Sequence, residues 1–194
     1  MSEKLASKLV NLAIGYGVVK EDDEELYLYS YQITIEFVFS WASILILSVF
    51  LHTFLGTLFF MAFYIPLRLY AGGYHAKSFS GCYFLSIATY LVFCFIEPYV
   101  SAYLPIYALI GIVLCLSAVI AYLAPIEDPN KPMELADMKR CEKRARVILF
   151  LQVVVIIIMA LTPWGKRMVY FPSFSILIMC LSLVVVRKNR QPHS

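Results

Sequence analysis

Long runs of apolar residues, separated by short polar or proline-containing breaks, make up most of this chain. A helix that crosses the hydrocarbon core of a bilayer needs about 20 mostly apolar residues. The breaks include His52-Thr53 and Glu97-Pro98. We predict six spans, at residues 31–51, 54–70, 82–96, 103–124, 147–161 and 170–186. The predicted fold is therefore an all-α, polytopic helical bundle that forms a single membrane domain over residues 1–194.

The first 25 residues predict a shorter element of a different kind. Leu5, Leu9, Leu12 and Tyr16 recur at helical spacing, which predicts an amphipathic helix over residues 4–19. We expect it either to lie on the inner leaflet as an interfacial helix or to pack under the bundle. The acidic residues 21–25 that follow predict a solvated connector.

The composition supports a membrane protein and argues against a soluble domain. Hydrophobic residues make up 61% of the chain and charged residues 15%, whereas soluble domains have about 45–50% and about 25%. The five cysteines occur singly and form no CxxC pair. We therefore expect no disulfide framework, and we expect Cys94, Cys115 and Cys180 to act as small apolar residues within their spans.

Lysine and arginine are distributed unevenly, and this predicts the orientation. Fourteen of the 16 fall before residue 31, in the loops at 68–82 and 125–146, or in the tail at 187–194; the other two lie at 162–169. Cytoplasmic loops carry the excess of positive charge. We predict that both termini, the 68–82 loop and the basic 125–146 loop are cytoplasmic.

The 68–82 loop carries the candidate chemistry. Cys82 is the candidate nucleophile, and His75 is the candidate base that takes the thiol proton and returns it to a leaving amine. Ser80 is expected to be the N-cap of the third span, which would place Cys82 in the first turn, where the helix dipole favours a thiolate. Arg68 adds positive charge, and Gly73 lets the backbone approach a substrate closely.

The spacing between the two candidates sets a condition on the local fold. If residues 75–82 formed one helix, the Cα atoms of His75 and Cys82 would lie about 10 Å apart, which is too far for a hydrogen bond. We therefore expect the chain to turn back between Ala76 and Ser80. Ser78 belongs to the segment that would make this turn.

Simpler interpretations of these residues stay open. A cysteine at the top of a membrane helix can be a packing residue, and a histidine in a polar loop can be an interfacial side chain.

Gln32 and Glu36 are the best candidates to orient His75, and Arg68 is an alternative partner for Glu36. Zinc sites need at least three protein ligands, whereas His52 is predicted on the opposite side of the membrane and His193 lies in the tail, so we expect no metal. We also expect no cofactor.

The pattern Arg68…Gly73-x-His75-Ala76-x-Ser78…Cys82-Tyr83…Ser86 resembles the accessory gene regulator protein B family. The resemblance implies a membrane cysteine endopeptidase that processes quorum-sensing peptide precursors in Gram-positive bacteria. It implies that Cys82, activated by His75, forms a thioester with the precursor, and that a cysteine of the peptide then closes a thiolactone ring. It also implies a multi-pass protein of the bacterial cell membrane.

The basic loop has two interpretations. Lys139, Arg140, Lys143 and Arg144 either contact anionic lipid head groups of the inner leaflet or dock an acidic part of the precursor, as the family's peptides would supply. Cys141 in the same loop is a rival nucleophile without a neighbouring histidine.

A different class of function also stays open. The chain could be a small membrane transporter or peptide exporter, but its span centres lack the ionisable residues typical of a transporter. We expect a homodimer, because dimers with twofold symmetry are the commonest assembly, and we expect no nucleic-acid partner.

Overall fold

The computed structural model describes residues 2–73, 79–126 and 135–190, which form eight α-helices and one short 3-10 helix, Glu21–Asp23. The α-helices are α1 Ser2–Gly15, α2 Glu24–Phe50, α3 Phe54–Ala71, α4 Phe79–Tyr103, α5 Ile106–Leu123, α6 Leu135–Leu161, α7 Gly165–Met168 and α8 Tyr170–Arg190. Within the described ranges there is no strand, and Gly72 and Ile126 form one isolated bridge.

Six of these helices are long and apolar enough to cross a membrane: α2, α3, α4, α5, α6 and α8. The all-α polytopic fold and the number of spans predicted from hydropathy are therefore confirmed. The cytoplasmic placement of the termini and of the two basic loops stays a prediction.

Several predicted boundaries are wrong, because helices continue through residues that we expected to end them. α4 runs past Glu97-Pro98 to Tyr103, since a proline removes only one backbone donor and membrane helices tolerate that loss. α6 begins at Leu135, inside the predicted basic loop. α8 continues into the predicted tail as far as Arg190.

The N-terminal boundaries also differ. α1 ends at Gly15 rather than at residue 19. The 3-10 helix covers Glu21–Asp23 and α2 begins at Glu24, so the predicted acidic connector is helical throughout. Glu24 and Glu25 lie in the first turn of α2, where negative charge is favourable because the amino end of a helix dipole is positive.

The chain divides into two compact units. The first unit, Met1–Phe50 and His75–Val92, contains α1, α2 and the first part of α4. α1 packs against α2 and buries Ala6 and Val10. The predicted apolar stripe of α1 is a different face, and it stays exposed at Leu5, Leu9, Leu12 and Tyr16. This helix thus has one packed face and one exposed apolar face.

The second unit, Leu51–Tyr74 and Phe93–Ser194, contains the other helices and has α8 at its centre. α8 packs against α3 and α5, and α6 packs against the same two helices. The fully buried side chains at these contacts include Leu67, Ile120, Ile156, Ile176, Met179 and Leu183. A four-helix apolar core therefore holds this unit together.

Two polar side chains hold elements of the second unit together. Gln152 Nε2 on α6 donates to the carbonyl oxygen of Phe63 on α3, at 2.6 Å. The Tyr170 hydroxyl at the start of α8 donates to the Leu104 carbonyl oxygen, at 3.0 Å. In a membrane, apolar side chains gain little free energy when they leave lipid for a contact with another helix. Hydrogen bonds of this kind therefore help to stabilise contacts within the protein.

Candidate active site

Cys82 is the fourth residue of α4 as described. Its thiol is free and its side chain is half-buried, and its carbonyl oxygen accepts a hydrogen bond from Ser86 Oγ at 2.9 Å. The expectation that Ser80 caps this helix is wrong, because the helix already includes Phe79. The residue before Phe79 is Ser78, which lies outside the described residues. Cys82 nevertheless lies in the first turn of the described helix.

Tyr83, the residue after Cys82, attaches the start of α4 to α2. Its hydroxyl donates to Ser43 Oγ at 3.0 Å, and its ring packs edge-on against that of Phe84 at a centroid distance of 5.5 Å. We did not predict this contact. The available signal was Ser43 itself, a polar residue within an apolar span. The bond restrains the turn of helix that carries Cys82.

The other half of the proposed pair, His75, lies outside the described residues, as do Ser78 and the segment 74–78 in which the chain should turn back. The hydrogen bond between His75 and Cys82 therefore stays a prediction. Gln32 and Glu36 lie on α2 and are half-buried. Their roles in orienting His75, and the alternative pairing of Glu36 with Arg68, stay predictions as well.

Arg68 lies in the last turn of α3, where it connects this helix to α8. Arg68 Nη1 donates to the Gly72 carbonyl oxygen at 3.2 Å and to Ser182 Oγ at 2.9 Å. Ser182 belongs to α8 and was not among the site residues predicted from the sequence. Since Ser182 lies 114 positions from Arg68, only the folded chain brings the two side chains together.

Gly72 and Gly73 end α3 in conformations that favour glycine, with φ of +76° and +138°. A Cβ atom at Gly73 would overlap Arg68 Nη1 and lie 2.6 Å from Ser182 Oγ, and one at Gly72 would overlap the Ile126 carbonyl oxygen. The approach of a substrate to Gly73 stays a prediction, and the groups that lie close to it in the structure are protein side chains.

The backbone just after α3 is also held from a second direction. Ile126 N–H donates to the Ala71 carbonyl oxygen at 3.0 Å, so the segment after α5 pairs with the end of α3. The Arg144 guanidinium on α6 lies over the Tyr70 ring, with Cζ 5.5 Å from the centroid. Contacts from α8, from α6 and from the segment after α5 thus meet at the point where the chain leaves α3.

The basic residues proposed to dock peptide or lipid lie on the first turns of α6. Lys139 and Lys143 are exposed and four positions apart, so they share one face. Arg140 instead pairs with Asp137 at 3.4 Å, and Arg144 stacks on Tyr70. The four cations therefore form two groups, of which the Lys139 and Lys143 face is the more available to a ligand.

Two other kinds of chemistry have weaker support. Cys141, the rival nucleophile, is free and half-buried on α6. In the parts of the chain that the structure describes, no group of three His, Cys, Asp or Glu side chains could hold a metal ion. Cys82 is the described thiol that belongs to the motif found in the sequence.

Comparison with known proteins gives one match, to a family model. No curated protein and no solved structure shows significant similarity to the chain. The family model for Accessory gene regulator B matches residues 2–186, nearly the whole length of 194 residues. This range includes the motif from Arg68 to Ser86 and all six apolar helices except the last residues of α8. The chain therefore belongs to the accessory gene regulator B family.

Proposed function

We propose that this protein is a membrane cysteine endopeptidase that cleaves the precursor of a quorum-sensing peptide. Membership in the family supports involvement in the processing of such peptides. The observation that carries the finer proposal is Cys82, a free and half-buried thiol in the first described turn of α4. Backbone N–H groups and the helix dipole stabilise negative charge in this position, and a thiolate is the nucleophilic form of cysteine.

The proposed reaction begins with proton transfer from Cys82 to His75. The Cys82 thiolate attacks a backbone carbonyl carbon of the precursor, and the tetrahedral intermediate then expels the amine of the next residue. His75 gives its proton to this amine, so the C-terminal piece leaves with a neutral amino group. The N-terminal piece stays on the enzyme as a thioester.

The second proposed step forms the ring. The thiol of a cysteine within the bound peptide gives its proton to His75 and attacks the thioester carbonyl. The bond to Cys82 Sγ then breaks, the proton returns to this sulfur, and the product is a thiolactone. Exclusion of water favours this transfer over hydrolysis of the thioester, and a position at the membrane interface suits such exclusion.

Lys139 and Lys143 are the proposed docking residues for an acidic segment of the precursor. Two exposed cations on one helix face can attract carboxylates, although salt screens such contacts. Anionic lipid is the competing ligand for the same face. We expect a Lys139→Gln, Lys143→Gln double variant to raise KM, and we expect kcat to stay unchanged if docking is its role.

Co-expression with a candidate precursor tests the proposal. Cys82→Ser and His75→Ala should each reduce cleavage by at least about a thousandfold, because removal of a nucleophile or its base eliminates the acyl transfer. Cys141→Ser is the matched control, and it should cleave like the wild type. Full cleavage by both Cys82→Ser and His75→Ala would refute the peptidase proposal. Loss of export with cleavage intact would favour the transporter instead.

A further inference from the structure

We propose that Ser182 on α8 is a positioning residue for the peptidase reaction. Its Oγ accepts a hydrogen bond from Arg68 Nη1 at 2.9 Å, and the same nitrogen donates to the Gly72 carbonyl oxygen at 3.2 Å. Ser182 thereby restrains the end of α3 at Gly72, three positions before His75 in the sequence. This inference rests on the proposed function.

The Arg68 guanidinium is well suited to transmit this restraint. It is planar and permanently charged, and its donors have a fixed geometry, so two acceptors on different elements determine its orientation. Arg68 is half-buried, and hydrogen bonds to charged groups are stronger than those between neutral groups. Loss of the Ser182 acceptor would remove the restraint that α8 places on the guanidinium through this bond.

Ser182 is itself held in place by the packing of α8. Leu183, the next residue, and Met179, which lies one turn earlier on α8, are both fully buried. α8 packs against both α3 and α5. The Ser182 hydroxyl therefore projects from the most firmly packed helix of the second unit. Its position is determined by the apolar core rather than by its contact with Arg68.

Gly73 connects this contact to the reactive segment. A Cβ atom at Gly73 would overlap Arg68 Nη1 and lie 2.6 Å from Ser182 Oγ, so both side chains press against the Gly73 backbone. A change in the position of Arg68 therefore changes the packing around the Gly73 backbone. Because small misplacements of catalytic groups reduce rates strongly, we expect Ser182 to act on kcat.

The test compares two serine-to-alanine substitutions on the same helix in the purified full-length protein. Ser182→Ala removes the acceptor for Arg68. Ser175→Ala is the matched control, because Ser175 is fully buried and its hydroxyl donates within the helix to the Pro172 carbonyl oxygen. With precursor peptide as substrate, Ser182→Ala should lower kcat by about tenfold or more and change KM by less than about twofold. Ser175→Ala should leave both constants unchanged.

Hydrogen–deuterium exchange at Gly72 and Gly73 gives a second measurement that does not depend on activity. Ser182→Ala should speed exchange of these amides by about fivefold or more, because the restraint on the end of α3 is lost. Ser175→Ala should not. If Cys82→Ser is inactive but Ser182→Ala has an unchanged kcat, the positioning role is wrong. A lower kcat with unchanged exchange would also overturn it, because Ser182 would then act elsewhere.

These outcomes are separable from failure of the proposed function. If Cys82→Ser and His75→Ala both retain full cleavage, the peptidase proposal is refuted and the positioning role falls with it. The exchange measurement still reports whether Ser182 restrains Gly72 and Gly73 in that case.

Discussion

The helix that carries Cys82 and the helix that carries Ser182 differ strongly in how far the protein covers them. In the most apolar stretch of the span that contains α8, 56% of the residues are buried inside the protein, compared with 11% in that of α4. The contacts that restrain Arg68 and Gly73 therefore come from a densely packed helix. The candidate nucleophile lies on a sparsely covered one.

This difference suits the proposed function, in which a large, flexible peptide must reach Cys82. Rigid packing around α8 can hold Arg68 and Gly73 in a fixed geometry, because close-packed interiors resist small displacements. Much of α4 instead exposes apolar side chains such as Phe84 and Phe95, which leaves surface for lipid, peptide or a second copy of the chain. Substitutions at Gly73, Gln152 and Tyr83 test how far the two regions differ.

The largest effect is expected at Gly73. Gly73→Ala should lower the rate of precursor cleavage by about a hundredfold, because the added Cβ displaces Arg68 and distorts the end of α3. Gly111→Ala on α5 is the matched control, since a Cβ there meets nothing within 4 Å. The control should cleave normally and be slightly more stable, because alanine favours helix over glycine. Wild-type activity in Gly73→Ala would contradict the tight contact between Gly73 and Arg68.

A smaller effect is expected on the stability of the packed unit. Gln152→Met removes the hydrogen bond to the Phe63 carbonyl oxygen and should lower the free energy of unfolding by about 1 kcal/mol, which is about 2–4 °C in Tm for a chain of this size. Ser117→Ala is the control, because Ser117 Oγ is buried without a partner in the described part of the chain. Thermal unfolding in detergent should show little change for the control, whereas equal losses in both variants would contradict the role of Gln152.

The smallest effect is expected at the sparsely covered end of α4. Tyr83→Phe removes the hydroxyl that donates to Ser43 and should lower kcat by about threefold, because the bond is neutral and half-buried. Tyr107→Phe, at a tyrosine that is 79% exposed, should have no effect on kcat. A loss as large as that of Gly73→Ala would mean that α4 is held as firmly as α8.

The spans could be predicted from the sequence because the length of an apolar run is a local property. The motif at Arg68, Gly73 and Cys82 could be predicted because these residues lie close together in the sequence. Sequence reasoning failed at Glu97-Pro98, where the helix continues despite one lost backbone hydrogen bond. It also missed Ser43 and Ser182. Each is a single hydroxyl in an apolar run, and its partner is distant in sequence, so only tertiary structure identifies the pair.

The central proposal is that Cys82 forms a thioester with the precursor, and intact-mass spectrometry of the protein tests it most directly. The precursor used should have its ring-forming cysteine replaced by serine, so that the second step is slow. We expect one adduct with the mass of the N-terminal peptide piece, mapped to Cys82, removed by hydroxylamine and absent in Cys82→Ser. Cleavage with no adduct at Cys82, or an adduct mapped to Cys141, would contradict the proposal.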